Sequence, residues 1–242
     1  MARGGASSLR FLILLGFFIS GVTGLVYQNV WIRMLTLVIG GTTAALTTVL
    51  IAFMGGLALG SFLFGGYADR SKNPLKAYAI VEGAIGLYAL LIPFAYKAVP
   101  GLYQALHALD PEHGVAFIAL RFVLAIAFFG IPSTLMGGTL PLIIKALSQG
   151  PGALQVTVAR AYAINTFGAT LGAFLTGFLV IPTFGLYLTL YLVSGVNFLL
   201  GAVFYFVLAP RLSRGGMAPD QTQAQSEGER GAKDGALGRL KE

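Results

Sequence analysis

The chain has 242 residues, of which 56% are hydrophobic and only 10% are charged, with a formal net charge of +7 and a mean hydropathy of +0.80. A soluble domain carries about 25% charged residues, so this composition excludes one and predicts an all-α integral membrane protein. The basic residues lie mainly in turns and tails and form no aromatic-interleaved stripe, which excludes a nucleic-acid partner. Cysteine is absent, which excludes thiol catalysis, cysteine metal sites and disulfides.

Six segments contain the roughly 20 apolar residues that a membrane-spanning helix needs. The first follows basic residues, as a secretory signal would, but its apolar run continues through Val30 and is interpreted as a retained span. Residues 1–209 are therefore predicted to form a six-helix membrane domain, half of a major-facilitator-like fold by the resemblance described below. Residues 210–242 are polar and are predicted to be a disordered cytoplasmic tail, because they offer little apolar surface to bury. The six predicted spans are 11–31, 44–64, 75–96, 115–147, 158–181 and 187–208, with a loop over 97–114.

The basic residues predict the orientation of these spans. With six spans, four basic groups fall on one membrane side, and basic loops are typical of the cytoplasmic side. We therefore expect both termini in the cytoplasm and the chain in the inner (plasma) membrane. The four groups are Arg3 with Arg10, Arg70 with Lys72 and Lys76, Lys145 with Arg160, and Arg211 with Arg214.

Small residues mark two close-packing helix faces. Gly56 and Gly60 are four residues apart in the second span, and Gly168 and Gly172 repeat this spacing in the fifth. Residues four apart share a helix face, and small residues in lipid let two helix backbones approach closely. The alternative is that these glycines merely face lipid.

The fourth predicted span is irregular because Pro132 and Pro141 interrupt it. Proline removes a backbone donor, and we expect Ser133, Thr134 and Thr139 to satisfy the freed carbonyl groups. A broken helix within the membrane is tolerated against protein or a watery cavity. The two prolines therefore predict either a hinge that lines a cavity or a structural kink, and the sequence leaves both open.

Glu82 is the only acidic residue within a predicted span. Ionisable groups in lipid are costly, so each one is a functional hypothesis by default. Arg160 lies at a similar predicted depth, and an ion pair between the two side chains would lock the helices together. The alternative is that Glu82 binds a proton or another cation.

The remaining polar residues predict binding or packing rather than catalysis. Arg33 and Arg121 lie near the outer surface, where they would reach the headgroups or bind an anion together. Gln28 and Asn165 are candidates for solute binding, although such amides usually bond helices to each other. No catalytic constellation, cofactor motif or metal-ligand spacing is present in the sequence.

Several blocks resemble the membrane domain of the fused major-facilitator/spermidine-synthase family over roughly Ile13 to Leu208. They are GVTGLVYQNVWIRM (21–34), AFMGGLALGSFLFGGYADR (52–70) and LMGGTLP (135–141) with RAYAINTFGATLG (160–172). The turn over 66–70 is also similar to the major-facilitator signature loop. That resemblance implies that Asp69 caps or pairs with a neighbouring helix start and that Arg70 faces the cytoplasm.

The same resemblance implies half of a transporter, in which the second and fifth helices line the contact between halves. A homodimer with the four glycines at its interface follows as the expected assembly. The alternative is that these glycines pack only within one six-helix bundle. The chain departs from the family at Gln28, where an acidic residue is common, at Lys72, where glycine is usual, and after Leu208, where we expect no synthase fold. Aminopropyl transfer by this chain is therefore not expected.

Two functions are consistent with these features. One is a half-size transporter-like protein that moves or binds a small polar or cationic solute. The other is a membrane anchor or scaffold for a separate, soluble spermidine synthase-like partner.

Overall fold

The computed structural model describes residues 2–39, 41–109, 114–148 and 153–214. Within these ranges nearly every residue is helical and no strand is present, which confirms the all-α prediction. The α-helices are α1 (Ala2–Ile39), α2 (Thr43–Arg70), α3 (Pro74–Leu109), α4 (Val115–Ala125), α5 (Ile131–Leu147), α6 (Ala153–Leu175), α7 (Ile181–Val203) and α8 (Ala209–Arg214). Three π-helical segments join some of them: π1 (Ile126–Gly130), π2 (Thr176–Val180) and π3 (Phe204–Leu208).

Five helical stretches in the described ranges are long and apolar enough to cross a membrane. The last of them, Leu154–Ser213, counts 60 residues. A straight helix of that length would measure about 90 Å, roughly three times the hydrocarbon thickness of a bilayer. The five stretches are Ser7–Leu37, Thr43–Arg70, Pro74–Leu102, Phe122–Leu147 and Leu154–Ser213.

This longest stretch reverses its direction at Gly185. The residue has φ 71° and ψ 178°, which lies outside the helical region and is accessible almost only to glycine. Two contacts on α1 show the direction of the chain before it. Asn165 donates a hydrogen bond to the Phe17 carbonyl group, and Gly172 packs against the Val22 carbonyl group, so α6 runs parallel to α1.

After Gly185 the chain runs the opposite way. Gly16 of α1 packs against Phe204, whereas Tyr27, further along α1, donates to the Ser194 hydroxyl group. The order of the two contacts is inverted, so α7 beyond the glycine is antiparallel to α1. The helical stretch therefore consists of two antiparallel legs.

Two boundary predictions need correction. The predicted loop over 97–114 is wrong in its first part, because α3 continues to Leu109 and carries Pro93 and Pro100 inside it. The predicted tail also begins too early, since α8 extends the helix past Pro210 to Arg214. Residues 215–242, which make up the rest of the predicted tail, lie outside the described residues.

The fourth predicted span is continuous rather than broken, because a π-helical segment accommodates its proline. The Ile131 amide donates to the Ile126 carbonyl group, five residues back, immediately before Pro132. A proline ring clashes with the carbonyl group one α-turn earlier, and a locally wider turn relieves that clash without ending the helix. Each of the three π segments ends two residues before a proline, the other two being Pro182 and Pro210.

Two carbonyl groups left without a backbone donor near Pro132 and Pro141 find donors on neighbouring helices. The Ala127 carbonyl group has no backbone donor, because the Ile131 amide bonds to Ile126 and Pro132 has no amide hydrogen. Its oxygen accepts instead from the Tyr88 hydroxyl group of α3. Pro141 likewise frees the carbonyl group of Gly137, which accepts from Ser61 of α2 at 3.0 Å. The predicted donors Ser133, Thr134 and Thr139 bond to carbonyl groups within their own helix instead.

The closest helix packing pairs α2 with α5, α1 with α6, and α3 with α7. A Cβ atom at Gly60 would overlap the Thr134 carbonyl group of α5, and one at Gly168 would overlap the Phe18 carbonyl group of α1. Gly56 packs against α5 and Gly172 against α1 in the same way. These glycines therefore pack helices within one chain, and their placement at a dimer interface is corrected.

Candidate polar site between α1, α3 and α7

Glu82 lies about two turns into α3 and is completely buried, although it is the only carboxylate of the predicted spans. Ser20 of α1 and Asn197 of α7 bind its two oxygen atoms. The Ser20 hydroxyl oxygen lies 2.5 Å from Oε1, and the Asn197 amide donates to Oε2 at 2.8 Å. The carboxyl group thus connects three helices through one pair of oxygen atoms.

Glycines bring α7 close enough to α3 for this contact. A Cβ atom at Gly86 would lie 3.2 Å from the Ser194 carbonyl oxygen and 3.3 Å from Cβ of Asn197. One at Gly201 would lie 2.9 Å from the Ala79 carbonyl oxygen. Because the backbones approach on both sides of Asn197, its short side chain reaches the carboxylate directly.

The carboxyl group belongs to a larger set of buried polar side chains. Tyr78 lies one turn before it on α3, close to both the carboxylate and Ser20. Tyr27 donates to Ser194 at 3.4 Å and stacks on Trp31 with ring centroids 5.1 Å apart. We call the following residues the buried polar cluster: Ser20, Tyr27, Tyr78, Glu82, Ser194 and Asn197.

Two atoms of this cluster have no hydrogen-bond partner in the structure. They are the Tyr78 hydroxyl oxygen and Oδ1 of Asn197, and both residues are at most 1% exposed. A buried polar atom without a partner costs about 1–3 kcal/mol, so most such atoms in folded proteins are bonded. The cluster therefore retains free donor and acceptor capacity beside the carboxyl group.

The predicted ion pair between Glu82 and Arg160 is not formed. Arg160 is exposed on α6, which packs against α1, whereas the carboxylate points between α1, α3 and α7. An exposed arginine can extend its guanidinium group to the polar surface, so nothing draws it into the core. Lys76, the basic residue nearest to Glu82 on α3, lies over the Tyr205 ring at 5.2 Å.

The other predicted binding residues do not converge on this cluster. Asn165 bonds to the Phe17 carbonyl group and so joins α6 to α1, which is the structural alternative. Gln28 is half-buried on α1, and Arg33 is exposed near its end. The side chain of Arg121 lies outside the described residues, so its joint anion site with Arg33 stays a prediction.

The signature-like turn forms an ion pair, but with a different element from the one expected. Lys145 Nζ lies 3.4 Å from the Asp69 carboxylate, and it belongs to the last turn of α5 rather than to a helix start. The Asp69 side chain is 78% exposed, so this pair contributes little to stability. Arg70 is also exposed.

Sequence reasoning identified Glu82, but it did not identify Ser20 as its partner. A serine in an apolar helix is common, and nothing near it in the sequence shows that it faces a carboxylate. The short distance arises because Phe17 and Ser20 of α1 both face α3, where the Phe17 ring meets Tyr78 edge to face at 6.2 Å. In the described part of the chain, no group of three His, Cys, Asp or Glu residues is placed to hold a metal ion.

Comparison with known proteins adds a weak relationship. The chain is 26% identical over 200 residues to Polyamine aminopropyltransferase 2 of Streptomyces coelicolor, and 26% identical over 195 residues to Polyamine aminopropyltransferase 1 of the same organism. Each match covers 80% of this chain and 33% of the relative. The chain therefore spans about a third of the length of these relatives. No protein-family model and no solved structure matches it.

Proposed function

We propose that the chain is a six-span, half-size transporter-like module that moves or binds a small polar or cationic solute as a homodimer. Its resemblance is to the membrane part of spermidine synthase-like proteins, and both termini lie in the cytoplasm. The module does not itself transfer aminopropyl groups. The observation that carries the proposal is an internal repeat in the pattern of helix pairing.

The repeat becomes visible when the two legs of the longest stretch are counted as segments five and six. The closest pairs are then segments one and five, two and four, and three and six. If three is added to every segment number, counting on from six to one, the pair one–five becomes the pair four–two. The pair three–six stays the same. The two next closest pairs also correspond. Segment one packs on six, and the same shift of three gives segment four packing on three, which is observed.

The two halves of this repeat run in opposite directions across the bundle. Segment one is parallel to five and antiparallel to six, and segment two is parallel to four, since Gly56 packs near Gly130 and Phe64 packs near Gly138. Inverted repeats of three helices are found within each six-helix half of major-facilitator transporters. This correspondence supports a transporter-like module rather than an arbitrary helical bundle.

The scaffold remains the second candidate, and the comparisons favour it. The matched proteins are named as polyamine aminopropyltransferases, and this chain corresponds to about a third of their length. A membrane module that holds an aminopropyl-transferring partner at the cytoplasmic surface would explain that similarity without transport. The burial of Glu82 also agrees with this candidate, because a polycation would need exposed carboxylates.

Solute binding separates the two candidates. If the module binds a polyamine, spermidine should raise the thermal unfolding midpoint of the purified protein in nanodiscs, and the shift should saturate with concentration. A ligand at a hundred times its Kd stabilises by about 2.7 kcal/mol. Magnesium at equal ionic strength controls for non-specific cation effects. If neither polyamines nor a panel of amino acids shifts the midpoint, and a soluble synthase-like protein binds instead, the scaffold replaces the transporter.

Assembly gives a further prediction. The inward glycines of α2 and α6 are occupied within the chain, so a dimer formed through these helices would use their outward faces, where Ala58 is exposed. Ala58→Trp should convert a dimeric particle to a monomeric one, as measured by mass in nanodiscs. Ile80→Trp, on the 63% exposed position of α3, should leave the dimer unchanged. A wild-type protein that is monomeric at high concentration in lipid contradicts the homodimer.

A further inference from the structure

The carboxyl group of Glu82 is surrounded by neutral groups. α1 contributes Ser20 and Tyr27, α7 contributes Asn197 with Ser194 beyond it, and α3 itself contributes Tyr78. The titratable groups that face it are the two tyrosines, and both are buried. No cationic side chain of the described residues forms an ion pair with Glu82. The ion pair found among these residues joins Lys145 to Asp69.

An ionised carboxylate in this position lacks compensation. Two hydrogen bonds from neutral donors contribute far less than the cost of removing a full charge from water, and the described residues supply no opposite charge to it. A bound cation would need several oxygen ligands and the space to hold it. A proton needs neither, and it cancels the charge on the carboxyl group itself.

We propose that Glu82 is a proton-binding site within the membrane domain, which takes up and releases one proton. The inference goes beyond the proposed function, because it follows from the buried polar cluster whether or not the module moves a solute. Uptake forms one O–H bond on a carboxylate oxygen and breaks none within the protein. The charge of the cluster changes from −1 to neutral.

The two unpartnered atoms have a role in this exchange. In the ionised form the carboxylate accepts from Ser20 and from the Asn197 amide group, as the structure has it. In the neutral form the carboxyl O–H becomes a donor and needs an acceptor. A half-turn of the Asn197 amide presents Oδ1, which has no partner, to that O–H. The Tyr78 hydroxyl, which also lacks a partner, lies close to the carboxyl group and is available as a further donor.

Infrared spectroscopy tests the site directly, because a protonated carboxyl group has a C=O stretching band separate from that of a carboxylate. The purified protein in nanodiscs should show one such band, which disappears reversibly as the pH is raised from mildly acidic to alkaline values. Glutamate labelled with 13C at the side-chain carboxyl should shift this band, whereas labelled aspartate should not. This labelling needs no substitution, so the result does not depend on the folding of a variant.

Two variants complete the experiment. Glu82→Gln should abolish the band, whereas Asp69→Asn, which removes a carboxylate that is 78% exposed, should leave it unchanged. Asn197→Leu should shift the band frequency, because it removes a direct partner of the carboxyl group. The proposal is overturned if the wild type shows no protonated band across the pH range, if the band does not change with pH, or if it persists in a folded Glu82→Gln protein. Loss of the band on adding sodium at constant pH also overturns it, in favour of a cation.

Discussion

Gly60→Leu is expected to separate α2 from α5 and to lower the free energy of unfolding by about 3 kcal/mol or more. A Cβ atom at this position would overlap the Thr134 carbonyl group and lie 2.8 Å from its carbon. Both contacts are with backbone, so rotation of a side chain cannot relieve them. The helices have to move apart, which also lengthens the Ser61 bond to the Gly137 carbonyl group that Pro141 leaves without an amide.

The control is Gly55→Leu, which places the same side chain on the same helix. A Cβ atom at Gly55 meets no atom within 4 Å, so this variant should retain wild-type stability. The measurement is the unfolding midpoint of each purified protein in the same detergent, followed by circular dichroism. Equal midpoints for the two variants would contradict the close packing of α2 on α5.

Gly185→Ala is expected to destabilise the protein by about 1–3 kcal/mol through backbone strain alone. The residue has φ 71° and ψ 178°, and an added Cβ atom would meet no neighbour within 4 Å. The cost therefore arises from the conformation that the reversal requires and not from a clash. If alanine caused the chain to continue as a helix through residue 185, α7 would lose its antiparallel contact with α1.

Gly195→Ala is the matched control on the same helix, ten residues further on. Gly195 is helical, exposed and without neighbours at its missing Cβ, so alanine there should be neutral or slightly stabilising. Unfolding midpoints measured side by side decide the comparison. If Gly185→Ala matches the control, the glycine is not needed for the reversal.

Much of the architecture is readable from the sequence because the bilayer restricts the choices. Apolar runs of sufficient length have to be helices, since lipid offers no partner to an unpaired backbone group. The same rule made Gly56, Gly60, Gly168 and Gly172 recognisable as close-packing positions, and it made Glu82 conspicuous as a carboxylate in an apolar helix. All of these are local properties that a single segment carries by itself.

Only the tertiary structure decided which groups meet. The spacing of the glycines does not say whether the facing backbone belongs to the same chain or to a second copy, and here it is the same chain. Predicted depth placed Arg160 beside Glu82, but α6 packs on α1, and the carboxylate faces Ser20 and Asn197 instead. Depth in the membrane alone does not determine which side chains meet. The order of the helices and their rotation around their axes also matter, and both are set by packing between segments distant in sequence.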